Sequence, residues 1–309
     1  MIISPSHSPL FLSFVSQLKN LDGHFYNYHK GVQEAVTSIG MNFKAALSES
    51  AVLPQDEPGW IRSLRLSNPS EINTSPPLCT IYKRRAIRSI HSMFDRCEAL
   101  SHQTLLYNEV YFPDFFFLAE ALLSFPSEKL KNITLWLLYR EPPNFLSVHR
   151  ARLLQMHRQL ESHLKGRFRL FSEGDRQCQI LGEYFDRDVS ALPIPHGFQV
   201  PLESKKFSEL PLCVCYGPAR PGYFPLRKGA DLLQRILDKR LYGNSPPFAL
   251  AVADDSELCP QPDGIPLYLF SSKLNREDYY KWISRADLAI FPYQQDHYDY
   301  YPSSIFIEV

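Results

Sequence analysis

The chain is short of glycine, shows no surplus of either charge and lacks any apolar run long enough for a membrane. Its 13 glycines in 309 residues fall below the usual share of about 7%, whereas 25 prolines exceed the usual share of about 5%, so stiff loops are expected. Lys plus Arg number 33 and Asp plus Glu number 33. That balance excludes nucleic-acid binding driven by bulk charge, and a hydrophobic share of 44% excludes disorder. No window approaches the ~18 to 20 apolar residues of a membrane span. The apolar patch Leu10, Phe11, Leu12, Phe14 and Val15 has no Lys or Arg before it and no small-residue cleavage site after it, so it reads as part of the fold. A cytoplasmic chain with at most peripheral membrane association is expected. The six cysteines form no CxxC knuckle, and reduced structural thiols are the expectation. GxSxG, HExxH and P-loop motifs are all missing, which removes the minimal parts of a serine hydrolase, a zincin or an NTPase.

What is present is alternation. Three hundred residues favour two domains over one. Short β-like runs (105–110, 133–139, 168–171, 189–194) exchange with helical patterns, as in an α/β chain with parallel sheets. Leu153, Met156, Leu160 and Leu164 recur at helical spacing over 148–164, and 114–123 is apolar enough to pack on a sheet. A proline-rich stretch (Pro193, Pro195, Pro201, Pro211) reads as a linker, with domains expected at 1–202 and 203–309. Beyond it the pattern restarts: strands at 212–216, 248–253, 267–270 and 287–291, and helices at 228–237 and 276–284. Cys213 and Cys215 alternate on the first of these strands.

The segment Tyr216 to Leu233, YGPARPGYFPLRKGADLL, carries the clearest chemistry. A strand ends, a Gly and Pro loop follows, and a helix opens near Lys228 and Gly229, so amides and the positive helix end converge on one place. Arg220 and Lys228 add two cations there, suited to a diphosphate that leaves without metal. The alternative is a solvated basic loop.

A GxxR loop followed by KG opening a helix resembles the donor signature of GT-B glycosyltransferases of the family 4 type. Other segments fall in the same order: GHFYNYHKGVQEAVTSIG (23–40) is similar to the opening loop and first helix of the acceptor domain, LPIPHG (192–197) to the strand end before the linker, and DLAIFPY (287–293) with Ser303, Ser304 and Glu308 to the nucleotide-sugar segment. The resemblance implies two Rossmann-like domains of GT-B type, the second incomplete at its C-terminus. It implies transfer of a sugar, with retention and without metal or other cofactor, from a nucleotide-diphosphate sugar to an oligosaccharide or lipid-linked acceptor. Arg220, Lys228 and Gly229 would hold the diphosphate. Glu308 would accept hydrogen bonds from the ribose, and Ser303 and Ser304 would offer amides to phosphate or sugar. Tyr300 stands where the family's E-x7-E pattern has its first glutamate.

On the acceptor side, Gly23 and His24 would sit in a loop at the cleft edge, where the histidine, able to titrate near neutral pH, is the catalytic candidate. His29 reads as structural, and His196 as a hinge or cleft-lining residue. Asp186, Arg187 and Asp188 form a DxD, but just before a strand, where a metal motif usually follows one. The rival reading is a non-catalytic remnant or partner-dependent subunit, expected from the early stop at Val309 and from Tyr300.

Overall fold

The computed structural model describes residues 8–18, 24–53, 57–66, 76–140, 146–192, 210–215, 229–239, 247–272, 274 and 276–292. The chain divides into two compact units, Met1–Gly197 and Phe198–Val309.

The first unit is built on a seven-stranded sheet in the order β3-β2-β1-β4-β5-β6-β7. Its strands are β1 (Leu10–Val15), β2 (Asn42–Ser48), β3 (Trp60–Leu64), β4 (Thr104–Glu109), β5 (Ile133–Leu138), β6 (Phe168–Ser172) and β7 (Val189–Ala191). Every neighbouring pair is parallel. Helices α1 (His24–Ser38), α2 (Pro76–Arg96), α3 (Asp114–Ser124), α4 (Arg150–His163) and α5 (Asp175–Phe185) make the crossovers. Strands covered on both faces are largely apolar, and in β1 all six residues are buried, five of them apolar and the sixth Ser13. Period-two alternation divides them: Leu10, Leu12 and Phe14 join the core with α2, α3 and α4, while Phe11 and Val15 face α1 with Phe43, Tyr107 and Leu138. Each fully buried Leu or Phe of this kind contributes roughly 1.5–3 kcal/mol.

The second unit has a four-stranded parallel sheet, order β10-β9-β8-β11, from β8 (Leu212–Val214), β9 (Ala249–Ala253), β10 (Leu267–Phe270) and β11 (Leu288–Ala289). Helices α6 (Ala230–Leu237) and α7 (Arg276–Arg285) accompany it. Cys213 and Cys215 pack with Leu233 and Leu237 on one face, while Val214 joins Ala251, Ala253 and Phe270 against Tyr279 and Trp282 on the other. Both cysteines are buried.

The chain is thus α/β and Rossmann-like, as its periodicity suggests. Some expected elements are shorter: β8 ends at Val214 rather than at 216, and β11 occupies two residues rather than 287–291. The helix expected from 228 begins at Ala230. Among the described residues no helix is long and apolar enough to cross a membrane.

Candidate functional site

In an open parallel sheet, ligands bind beyond the carboxyl ends of the strands where the strand order reverses. In the first unit that point lies between β1 and β4. Ser13 of β1 is small and fully buried, and its hydroxyl shares a 2.8 Å hydrogen bond with His29 Nδ1 of α1. The register sets Tyr107 of β4 beside Ser13, and the Tyr107 hydroxyl meets that of Tyr28 at 2.6 Å. Two consecutive helical residues, Tyr28 and His29, therefore anchor α1 over the β1/β4 pair.

The same face carries charge at its carboxyl end. Strand parity places Glu109 with Tyr107 at the end of β4, Arg140 with Trp136 and Leu138 beyond β5, and Glu173 with Phe171 beyond β6. Arg140 Nε stands 3.0 Å from Glu109 Oε1 and 2.7 Å from Glu173 Oε1. Its guanidinium also lies over the Tyr28 ring, 4.6 Å from the centroid. The Tyr111 hydroxyl donates to Glu109 Oε1 at 2.6 Å, and His29 Nε2 faces Glu109 Oε2 at 4.0 Å. Glu109, Glu173 and His29 are almost completely buried.

Burial and the two carboxylates act against each other here. Burial opposes the charge on Arg140, but Glu109 and Glu173 outweigh it, so the guanidinium holds its proton more firmly than usual. Burial raises Glu173 to about 7, opposed by Arg140 and assisted by the like charge of Glu109. Burial likewise raises the Tyr28 and Tyr107 hydroxyls, which stay neutral donors. A group that carries a proton near pH 7, beside a guanidinium and a second carboxylate, can store or release that proton at working pH.

Above Glu109 lies a small cavity of about 10 Å³, lined by Phe14, Val15, Ser16, Gln17, Phe25, His29, Glu109 and Tyr111. Gln17 Nε2 donates to Asp114 Oδ2 at 2.6 Å, and burial raises the Asp114 carboxyl. A larger opening, about 600 Å³, lies between Leu123, Ser127, Arg158 and His163. It is shallow and belongs to the opposite, amino-terminal edge of the sheet.

In the second unit the order reverses between β8 and β11. Gly229, just before α6, has φ +71° and lies so close to Pro292, beyond β11, that a Cβ would stand 1.8 Å from the Pro292 carbonyl oxygen. Only glycine satisfies both the left-handed backbone and this approach. The structure thus sets Gly229, at the start of α6, against Pro292 at this switch point.

Of the residues singled out in the sequence, Gly229 is placed as described. Arg220, Lys228, Ser303, Ser304, Glu308 and Gly23 lie outside the described residues, as do His196 and Tyr300. His24 is the first residue of α1 rather than a loop residue. His29, read as purely structural, faces the charged row through Glu109. Asp186 caps the end of α5 at φ 53°, and Asp188 immediately precedes β7, so the DxD sits at the amino-terminal edge of the first unit's sheet, away from that unit's crevice. Among the described residues no group of three or more His, Cys, Asp or Glu could hold a metal ion. Glu109, Arg140 and Glu173 were not singled out. Each is nonetheless a charged residue within two positions of an apolar stretch, in LLYNE, LWLLYR and RLFSE, which is how a strand reaching a polar crevice reads. No protein-family model matches the chain, and no curated protein matches it either.

Proposed function

We propose that the chain is a glycosyltransferase of GT-B type, taking a sugar from a nucleotide-diphosphate donor held by the second unit to a glycan or lipid-linked acceptor, with retention and without metal. The observation that supports this reading is the fit of Gly229 against Pro292, which brings together two segments singled out as donor-binding. Arg220 and Lys228 would neutralise the departing diphosphate, and the amides opening α6 would face it. Ser303, Ser304 and Glu308 would hold sugar and ribose, and His24 with Gly23 would face the acceptor in the first unit. Positioning and phosphate stabilisation would supply most of the rate.

Titration of the folded chain with uridine, guanosine and adenosine diphosphates and their sugars, read as thermal shift, tests this directly. A saturable shift with one nucleotide, lost in Arg220→Ala and in Lys228→Ala, is expected. A shift that survives both changes rejects the diphosphate assignment. No shift with any nucleotide favours the rival, a non-catalytic, partner-dependent subunit, which Tyr300 in place of an acid already supports.

A further inference from the structure

We infer that the outer face of α2 is a docking surface for an anionic phospholipid bilayer, held by Arg84, Arg85 and Arg88 with Ile81 among them. The chain carries 33 basic and 33 acidic residues, so an excess of one sign at any place is local. Helix α2 holds such an excess: Lys83, Arg84, Arg85, Arg88 and Arg96 against Asp95 alone. Its buried side fixes where the charges turn. Ala86, Ile90, Met93 and Phe94 pack in the core, and Ile81, Arg84, Arg85 and Arg88, at helical spacing, share the opposite face. All four are exposed.

Neighbouring acids leave this face its charge. Glu120 of α3 is held from both sides by Lys83 and Arg152, and Glu49 takes Arg65 through both carboxylate oxygens. Among the described residues Arg84, Arg85 and Arg88 form no ion pair. A guanidinium grips phosphate through two parallel hydrogen bonds, and three of them on an open helix face suit a plane of phosphates, whereas a small ligand needs a concave site. The apolar neighbours favour a bilayer over other polyanions. Ile81 is 49% exposed amid the arginines, and Val148, just before α4, is 86% exposed. Helices α2 and α4 pack on the same face of the sheet and both start at its carboxyl edge, so Ile81 and Val148 lie at one end of the same helical layer. Nucleic acid or an acidic peptide offers charge with no apolar layer beneath it. A bilayer interface takes both a cation and an apolar tip.

The inference rests on α2 and does not require sugar transfer; where both hold, the acceptor is of the lipid-linked kind. The test is flotation of the full chain with vesicles of phosphatidylcholine, either alone or with about 30% phosphatidylserine to set a negative surface potential. Saturable binding to the anionic vesicles is expected, weakening steeply between about 0.1 and 0.5 M salt. Phosphatidylcholine alone should not bind. Each arginine at the surface is worth about fivefold, so Arg84→Gln, Arg85→Gln and Arg88→Gln together should weaken binding on the order of a hundredfold. Because these side chains are exposed, Tm should not change. Ile81→Ser should weaken binding several-fold. Lys129, Lys131 and Lys165 are exposed at the amino-terminal edge of the same unit, and changing all three to Gln, which removes the same charge, should leave binding nearly intact. Equal losses in the two triple variants would reduce the effect to net charge and overturn the proposal. So would no binding to anionic vesicles at about 0.1 M salt, including the case where the same arginines instead hold polyglutamate or duplex DNA. Nucleotide titrations read the second unit, so failure of donor binding leaves this result standing.

Discussion

Arg140 reaches Glu173 across the ends of two neighbouring strands, Nε to Oε1 at 2.7 Å, while the same nitrogen lies 3.0 Å from Glu109. Burial keeps a proton on Glu173 to about pH 7, opposed by the Arg140 guanidinium and assisted by the like charge of Glu109.

Stability should therefore fall as pH rises through that window. In the unfolded chain Glu173 loses its proton near 4.5, and in the folded chain near 7, so the folded state binds more protons in between. The resulting penalty grows from pH 4.5 and is complete above pH 7, on the order of 3 kcal/mol. Urea denaturation of Glu173→Gln should show a flatter slope between about pH 5 and pH 8 than the parent chain. Parallel slopes would show that Glu173 keeps an ordinary pKa.

Arg140→Met should be costly at pH 8, by about 3–5 kcal/mol, because both carboxylates lose their counter-charge while staying buried. At pH 5, where Glu173 is protonated, the loss should shrink. Adding Glu173→Gln to Arg140→Met should recover part of the stability at pH 8. A penalty independent of pH would assign the effect to packing over Tyr28 instead.

His157 should control the acid side. It is buried between Tyr139, Phe168 and Phe185, with Nε2 2.7 Å from the Tyr139 hydroxyl, and burial lowers it to about 3. The unfolded chain takes this proton near 6.5, so stability falls as pH drops below that value, by about 2 kcal/mol at pH 5. His157→Phe should lose that dependence in guanidinium melts at pH 5 and 7. An unchanged difference between the two pH values would contradict it.

Gly229→Ala should disrupt the second unit. The left-handed backbone alone costs about 1 kcal/mol with a side chain, and the Pro292 carbonyl occupies the space of the Cβ. Calorimetry should show an earlier transition for this unit and an unchanged one for the first. Substitution at Gly40, also left-handed but with nothing within 4 Å, should cost only the backbone term.

How much of this was readable depended on how locally each feature is encoded. The helix over 148–164 announced itself through Leu153, Met156 and Leu160, whose spacing needs no partner, and β5 through the run Leu135 to Leu138. The turn at Gly229 was readable because its loop chemistry lies within one segment. Strand β2 was not, because Lys44 interrupts its pattern; its ammonium reaches the Cys97 carbonyl at 3.0 Å, a contact no local rule anticipates. Helix α2 hid behind Lys83, Arg84, Arg85 and Arg88. The charged row was invisible for a stronger reason: Glu109, Arg140 and Glu173 end separate strands, and only the strand order makes them neighbours.

The position of β1 has a consequence for how the chain reaches its fold. Its partners are β2, with Leu10 beside Asn42, and β4, with Leu10 beside Thr104. Strand β1 is thus an interior strand, and in the chain it precedes its second neighbour by β2, β3 and the helices α1 and α2. Such non-local pairing slows folding, since loop closure precedes the contacts that repay it. A chain stalled before β4 would carry an apolar strand with one bare edge, open to pairing with another copy. Removing residues 10–15 would not trim the molecule; it would split one sheet into a pair, β3-β2, and a set of four, β4-β5-β6-β7, each with a raw edge where β1 had been.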